Sequence, residues 1–238
     1  MRNTLIVLFI FLISGTVIQA QLATDTTGGP DNFGHRWITS HAPGETIDFQ
    51  WFDARSGTAL NIPFGSVDAR YGPIDIGFTF NYKGNDYSTI DISSGGFISF
   101  TALATHYEDI DAHIPDGALP NNIVAPGWNR LDPNGWPGDI FYRTIGTAPY
   151  RKFVVEWYDM NSEVTSGNYT FQAVLYETLN LIVFNYDNLS GDSLALATIG
   201  IENDVGDDGL EFAYNADPAV QDSMSILFFI ALSNHRQR

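Results

Sequence analysis

The chain has no cysteine, and only 11 of its 238 residues are lysine or arginine. The first absence excludes a disulfide framework, a thiolate nucleophile, a cysteine zinc site and a lipid-bearing cysteine behind a leader. The second disfavours nucleic acid and anionic membrane as partners, because no basic patch can release their counterions. A sustained helical period with caps is also missing, as are internal repeats. There is no Gly-x-Ser-x-Gly elbow and no glycine-rich phosphate loop. None of His35, His41, His106, His113 and His235 stands at the i, i+4 spacing of a helical zinc motif.

What is present begins with an export signal. Arg2 supplies the positive end, Leu5 to Ile13 the apolar stretch, and Ile18-Gln19-Ala20 the small-residue cleavage site, so residues 1–20 read as a signal peptide. The apolar run is too short to span a bilayer and breaks at Ser14-Gly15. Residues 21–34 read as an extended lead-in, 35–232 as one domain and 233–238 as a polar tail. An exported domain without disulfides must be held by its own packing. The formal charge of −17 reads first as a solvated acidic surface.

The domain is organised around Tyr150 to Asp187. Phe153, Val155 and Trp157 share one face of a strand, with Val154, Glu156 and Tyr158 on the other. Tyr169 to Tyr176 and Leu181 to Tyr186 continue an antiparallel meander in which Phe171, Ala173 and Leu175 can line the same core. Further strands are expected at His35–Thr39, Ile47–Phe52, Ile76–Tyr82, Tyr87–Ile92, Phe97–Phe100, Ile123–Trp128 and Ile140–Thr144. Three more are expected at Ala195–Ile201, Leu210–Tyr214 and Met224–Ala231. Gly95-Gly96 fits a two-residue hairpin that needs positive φ, and Pro126 argues for an edge or a bend. The fold class is all-β: an antiparallel β-sandwich, jelly-roll-like.

Several phrases together resemble a known module. They are Phe78-Thr79-Phe80 through Gly96-Phe97-Ile98-Ser99-Phe100, Asn121-Asn122-Ile123-Val124-Ala125-Pro126 with Trp128, and Phe153-Val154-Val155-Glu156-Trp157 through Tyr169-Thr170-Phe171-Gln172. Ile201-Glu202-Asn203, Gly206 to Leu210, the opening Gly29 to Gly34 and the closing Ile226-Leu227-Phe228 fit the same pattern. The chain is similar to a β-sandwich module of secreted bacterial multidomain proteins, found beside peptidase, PKD-type and sorting-tail domains. Its middle section is similar to the nidogen-type extracellular domain of matrix and adhesion proteins. The resemblance implies an extracellular module and brings no catalytic residues with it. Gly127-Trp128-Asn129-Arg130 departs from the acidic pattern that usually follows Ala-Pro there, so a cation site in that loop is not inherited.

Three sets of residues could carry chemistry. Glu202, Asn203, Asp204, Asp207 and Asp208, spaced by glycines, offer oxygen ligands that a calcium ion could take, although the spacing is not that of an EF-hand. Turn chemistry accounts for the same residues, with Asp and Asn accepting backbone hydrogen bonds. Asp132, Asn134 and Asp139 form a weaker set of the same kind. Trp128, Trp136 and Tyr142 stand on or beside loops, where an exposed ring could stack on a sugar and a buried one would simply belong to the core. Glu108, Asp109 and Asp111 could be a glycosidase pair or only solvated. Asn168-Tyr169-Thr170 and Asn188-Leu189-Ser190 match the glycosylation pattern, which the bacterial resemblance makes a chance match. The expected function is a secreted, non-catalytic binding or adhesion module acting on an extracellular glycan or protein through end loops. No cofactor is required, and calcium is the one these loops could take. The alternatives are a glycan-active hydrolase and a structural accessory domain.

Overall fold

A computed structural model describes residues 27–42, 47–63, 65–67, 69–103, 112–133, 138–162, 167–191, 194–216 and 219–231, and in these residues there is no helix. The strands in chain order are β1 (Thr27–Gly28), β2 (His35–Thr39), β3 (Thr58–Ala59), β4 (Arg70–Tyr82) and β5 (Asn85–Ser93). Then come β6 (Phe97–Ser99), β7 (Ile123–Trp128), β8 (Leu131–Asp132), β9 (Asp139–Ile145) and β10 (Lys152–Ser162). The last are β11 (Asn168–Tyr176), β12 (Ile182–Ser190), β13 (Thr198–Glu202), β14 (Gly209–Tyr214) and β15 (Met224–Ile230). One sheet runs β1-β2-β15-β12-β11-β10-β9-β3, with β8 added on β10; the other runs β14-β13-β7-β6-β5-β4. All pairings are antiparallel, and the two sheets pack as a sandwich compatible with the jelly-roll-like expectation.

The meander β9 to β12 sits where its sequence places it. Phe153 opposes Leu175, Val155 opposes Ala173 and Trp157 opposes Phe171. All six are buried in the core between the sheets. The Trp157 ring stacks on Phe171 with centroids 5.3 Å apart, and its indole N–H donates to the Ser93 carbonyl of the facing sheet at 3.0 Å. The Tyr186 hydroxyl reaches the same sheet at the Pro126 carbonyl, 2.7 Å away. Each polar tip on an aromatic body is thus satisfied across the interface, which fixes how one sheet sits on the other.

Three expectations are corrected in detail. Ile47–Phe52 is not a strand, because it lies as an extended strap over the outer face of the meander and pairs through side chains. The β5–β6 connection spans Ser94, Gly95 and Gly96 between the paired Ser93 and Phe97, and only Gly96 has positive φ, at 83°. A β-carbon there would stand 2.1 Å from the Gly127 carbonyl oxygen, so both conformation and space demand glycine. Strand β7 is central in its sheet rather than at an edge. Pro126 is accommodated where the β7–β13 register shifts between Thr198 and Gly200.

Both outer faces are covered. Beyond the first sheet, Ala54 of the strap packs on Val154 and Val174, with Phe52, Phe141 and Val183 around them. Beyond the second, Leu103, Ala112 and Ile114 pack on Phe97, Ile123, Ala125 and Trp128. The central strands are therefore buried on both sides, as their near-continuous apolar runs require.

The described part of the lead-in is built into one end of this stack. Strand β1 pairs with β2, and the Asp31 carboxylate accepts the backbone N–H groups of Gly34 and His35, both at 2.7 Å. Lys83, at the tip of the β4–β5 hairpin, places its ammonium 2.6 Å from Asp31 and 2.8 Å from Asp208. Burial alone would raise the Asp31 carboxyl, but its bonds to His35 and Lys83 outweigh this and hold it well below the ordinary aspartate range. The stabilisation is therefore complete above the ordinary aspartate pKa and is lost as pH falls toward the depressed value. Lys83→Met leaves two carboxylates without their cation and should lower stability at pH 7 by about 3–5 kcal/mol in urea denaturation. Asp31→Asn should flatten the acid limb of the stability curve.

Candidate functional site

The cluster from Glu202 to Gly209 is the turn between β13 and β14. The Asn203 side chain accepts the backbone N–H groups of Asp207 and Asp208 at 3.1 and 3.2 Å, and its amide donates to the Asp207 carboxylate at 2.7 Å. Gly206, at φ 68°, packs against the Asp116 carbonyl with no room for a β-carbon. Asp208 faces Lys83 and the Asn32 N–H, the latter at 2.8 Å. Glu202 accepts the Asp116 N–H at 2.5 Å. Burial pushes the Glu202 carboxyl up to about 7; the Asp116 N–H works against this, nearby Asp116 charge adds to it, and Lys83 offsets part of it. Asp204 stands in the same turn. Hydrogen bonds join Asn203 to Asp207 and Asp208, while Glu202 is bonded to Asp116 instead.

Asp132 and Asp139 also hold backbone. Asp132 accepts the Gly65 N–H at 3.0 Å, and Asp139 accepts those of Asn61 and Ile62 at 3.0 and 3.2 Å. Trp128 is only 5% exposed and packs on Phe97 at a centroid distance of 5.5 Å, so it is a wall of the outer core and not a platform for a sugar. Tyr142 lies half-buried on β9 against the main core, 6.1 Å from Phe153. Asn134 and Trp136, and the carboxylates Glu108, Asp109 and Asp111, lie outside the described residues. Among the described residues, no group of three or more His, Asp or Glu side chains could hold a metal ion.

The site that sequence reasoning missed is on the outer face of the meander. Adjacent strands place Glu156 opposite Gln172, Gln172 opposite Asn185, and Asn185 opposite Ser225. All four are buried, at 1%, 0%, 1% and 1% exposure respectively, forming a polar row across β10, β11, β12 and β15. The strap is hung from this row. Gln172 pairs with Phe52 through both of its amide atoms, accepting the N–H at 3.4 Å and donating to the carbonyl at 2.5 Å. Glu156 accepts the Ala54 N–H at 2.9 Å and the Gln172 amide at 3.2 Å. Burial raises the Glu156 carboxyl, and these two bonds with the Arg55 guanidinium pull part of that back. Lys152 is sandwiched between the Phe52 and Tyr176 rings, 5.1 and 5.2 Å from their centroids.

Past Phe52 the strap and the sheet enclose a cleft of about 170 Å³, lined by Ile47, Asp48, Gln50, Tyr176, Leu181, Val183, Asn185 and Leu227. Its walls are mostly apolar. Asn185 accepts the Ser225 hydroxyl at 2.6 Å, while its amide nitrogen is buried with no hydrogen-bond partner. A signal for this face was available in the alternation itself. Val154, Val174 and Val183 fall on the side that a one-sided sheet gives to water, which implies a cover.

The NIDO related family matches residues 45–227, and the chain belongs to it. The match takes in the strap, the residues lining the cleft, strands β3 to β14 and the start of β15, with β1 and β2 before it, and it bears out the nidogen-like similarity carried by the middle section. No curated protein and no solved structure matches the chain. No helix among the described residues is long and apolar enough to cross a membrane.

The raised Glu202 carboxyl makes a pH prediction. Its folded value lies above its unfolded one, so the folded state holds more protons between about pH 4.5 and 7 and loses stability as pH rises through that window. Glu202→Gln keeps an acceptor for the Asp116 N–H without the charge. Denaturation at pH 8 should find the variant more stable than the parent by on the order of 1–2 kcal/mol, with the difference gone below pH 4.5.

Proposed function

We propose that the protein is a secreted, non-catalytic binding module that attaches to extracellular glycans or proteins and requires no cofactor. Family membership and the export signal support the location. The observation that carries the reading is the use to which four of the six described candidate carboxylates are put. Asp132, Asp139, Glu202 and Asp208 each accept a backbone N–H from a distant segment. A carboxylate spent on holding a loop is poorly placed to act as an acid, a base or a flexible cation ligand.

The test is to probe immobilised extracellular-matrix proteins and a glycan array with the secreted protein, in calcium and again in EDTA. The expected result is saturable binding that chelation leaves unchanged, with array glycans recovered intact. Glycan cleavage that disappears in Asp109→Ala or Asp111→Ala would overturn the non-catalytic reading in favour of a hydrolase. Binding abolished by EDTA would overturn cofactor independence and assign calcium to the 202–209 turn.

A further inference from the structure

We propose that the end of the sandwich carrying the β4–β5 tip is a docking face for a basic protein segment in which lysine or arginine alternates with apolar residues. This deepens the binding-module reading and rests on it for its biological meaning.

Apolar exposure is concentrated at this end. Of the seven large hydrophobic side chains exposed among the described residues, six stand on it: Phe33, Leu119, Tyr150, Leu179, Val205 and Ile230, each between 42% and 70% exposed. They come from the β1–β2, β9–β10, β11–β12 and β13–β14 connections, the segment before β7 and the end of β15. Contacts join these segments into one surface. The Thr178 hydroxyl donates to the Pro149 carbonyl at 2.7 Å, which links the turns bearing Leu179 and Tyr150. The Asn180 side chain accepts the Asn81 N–H at 2.9 Å, beside the β4–β5 tip. At that tip the Phe33 ring lies against Gly84, and Ile230 pairs with His35 of the same corner. Lys83 reaches Asp208 in the β13–β14 turn. Gly206 of that turn packs on Asp116 and Gly117, which links the segments bearing Val205 and Leu119. Exposed apolar residues are ordinary singly, but six on one end make a surface suited to being covered.

Charge selects what covers it. Asp204 and Asp207 flank Val205, Asp116 precedes Leu119 in one exposed loop, and Asp86 stands at the start of β5. All four are exposed, and none forms a salt bridge among the described residues. The cations of this end are already engaged. Lys83 is buried between Asp31 and Asp208, Arg151 is paired with Glu177, and His113 faces Glu211. Arg36 and Lys152 alternate with the inward Trp37 and Phe153, so they lie on the outer face of the first sheet. Covering Val205 or Leu119 also covers the carboxylates beside them, and desolvating a carboxylate without a cation is costly. A neutral bilayer supplies no cation to offset this. An anionic bilayer, or a second copy of a chain whose formal charge is −17, adds repulsion. A protein segment with lysine or arginine beside its apolar residues meets both requirements.

The probe is a synthetic octapeptide of alternating lysine and leucine, titrated into the full protein at about 50 mM salt while backbone amides are followed by ¹⁵N NMR. The expected result is saturable shifts confined to this end, with the amides of Leu119, Tyr150, Leu179 and Val205 among them. Binding should weaken at least tenfold in Tyr150→Ser with Leu179→Ser, in Leu119→Ser with Val205→Ser, and in the parent at about 300 mM salt. Leu196→Ser, which changes the seventh exposed residue, in the β12–β13 connection, should bind as the parent does. Peptides alternating lysine with serine, or glutamate with leucine, should bind at least tenfold more weakly. Shifts centred elsewhere, or equal binding of the lysine–serine peptide, would overturn the proposal. So would flotation with phosphatidylcholine vesicles, or a concentration-dependent dimer, that the paired serine variants abolish. If those variants attach to matrix proteins as tightly as the parent, the docking face falls and the binding-module reading stands. If the lysine–leucine peptide binds this end while the protein attaches to no extracellular surface, the module reading falls and the docking face stands.

Discussion

The interaction on which the rest of this fold depends is a carboxylate accepting the backbone N–H of a loop. Glu156 holds the strap at Ala54, Asp91 holds Leu103, Glu211 holds Ile114 and Glu202 holds Asp116. Asp139 and Asp132 hold the segment after β3, and Asp31 closes the lead-in on itself. Loops that cross a sheet carry peptide groups with no strand to pair with, and in a buried place each would be a liability. A charged acceptor forms a stronger bond than a neutral one and so pins such a loop at a point. In a chain without a single cysteine, these clamps do the stapling that disulfides do elsewhere.

That device gives the negative charge a structural role. Read from composition, −17 is a solvated surface. In the fold, Asp91, Asp132, Glu156 and Glu202 are buried, and each of them faces a loop amide. Where cations do appear they close the same kind of joint. Arg151 binds Glu177 at 2.6 Å and holds its carboxyl down at about 2, and Arg70 binds Asp91 at 2.6 Å. The scarcity of lysine and arginine, read as evidence about partners, leaves backbone amides as the main hydrogen-bond partners of the buried acids here.

The sequence made most of the fold legible, because strand patterning is a short-range signal. The period-2 split of Phe153, Val155 and Trp157 from Val154, Glu156 and Tyr158 survives into the structure residue for residue. The limits of β2 and β7 match the expected His35–Thr39 and Ile123–Trp128. What local pattern does not encode is which irregular segment covers which face. Ile47 to Phe52 alternates well enough to pass for a strand, and only long-range partners such as Gln172 make it a strap. The site was less legible for the same reason. Trp128 follows a proline-glycine break and reads as a loop aromatic, yet it is walled in by Leu103 and Ile114, residues that the sequence does not visibly bring near it. Asn185 drew no attention because an asparagine in a strand resembles a surface residue until its neighbours are known.

If carboxylate clamps carry the fold, they hold their loops as firmly as strands are held. Amide hydrogen exchange measured residue by residue at neutral pH tests this directly, since Ala54, Leu103 and Ile114 lie outside every strand and donate only to carboxylates. These three amides should exchange as slowly as those of Val155 and Ala173 in the central meander. Exchange of all three at the rate of open loops, while the strands stay protected, would contradict it.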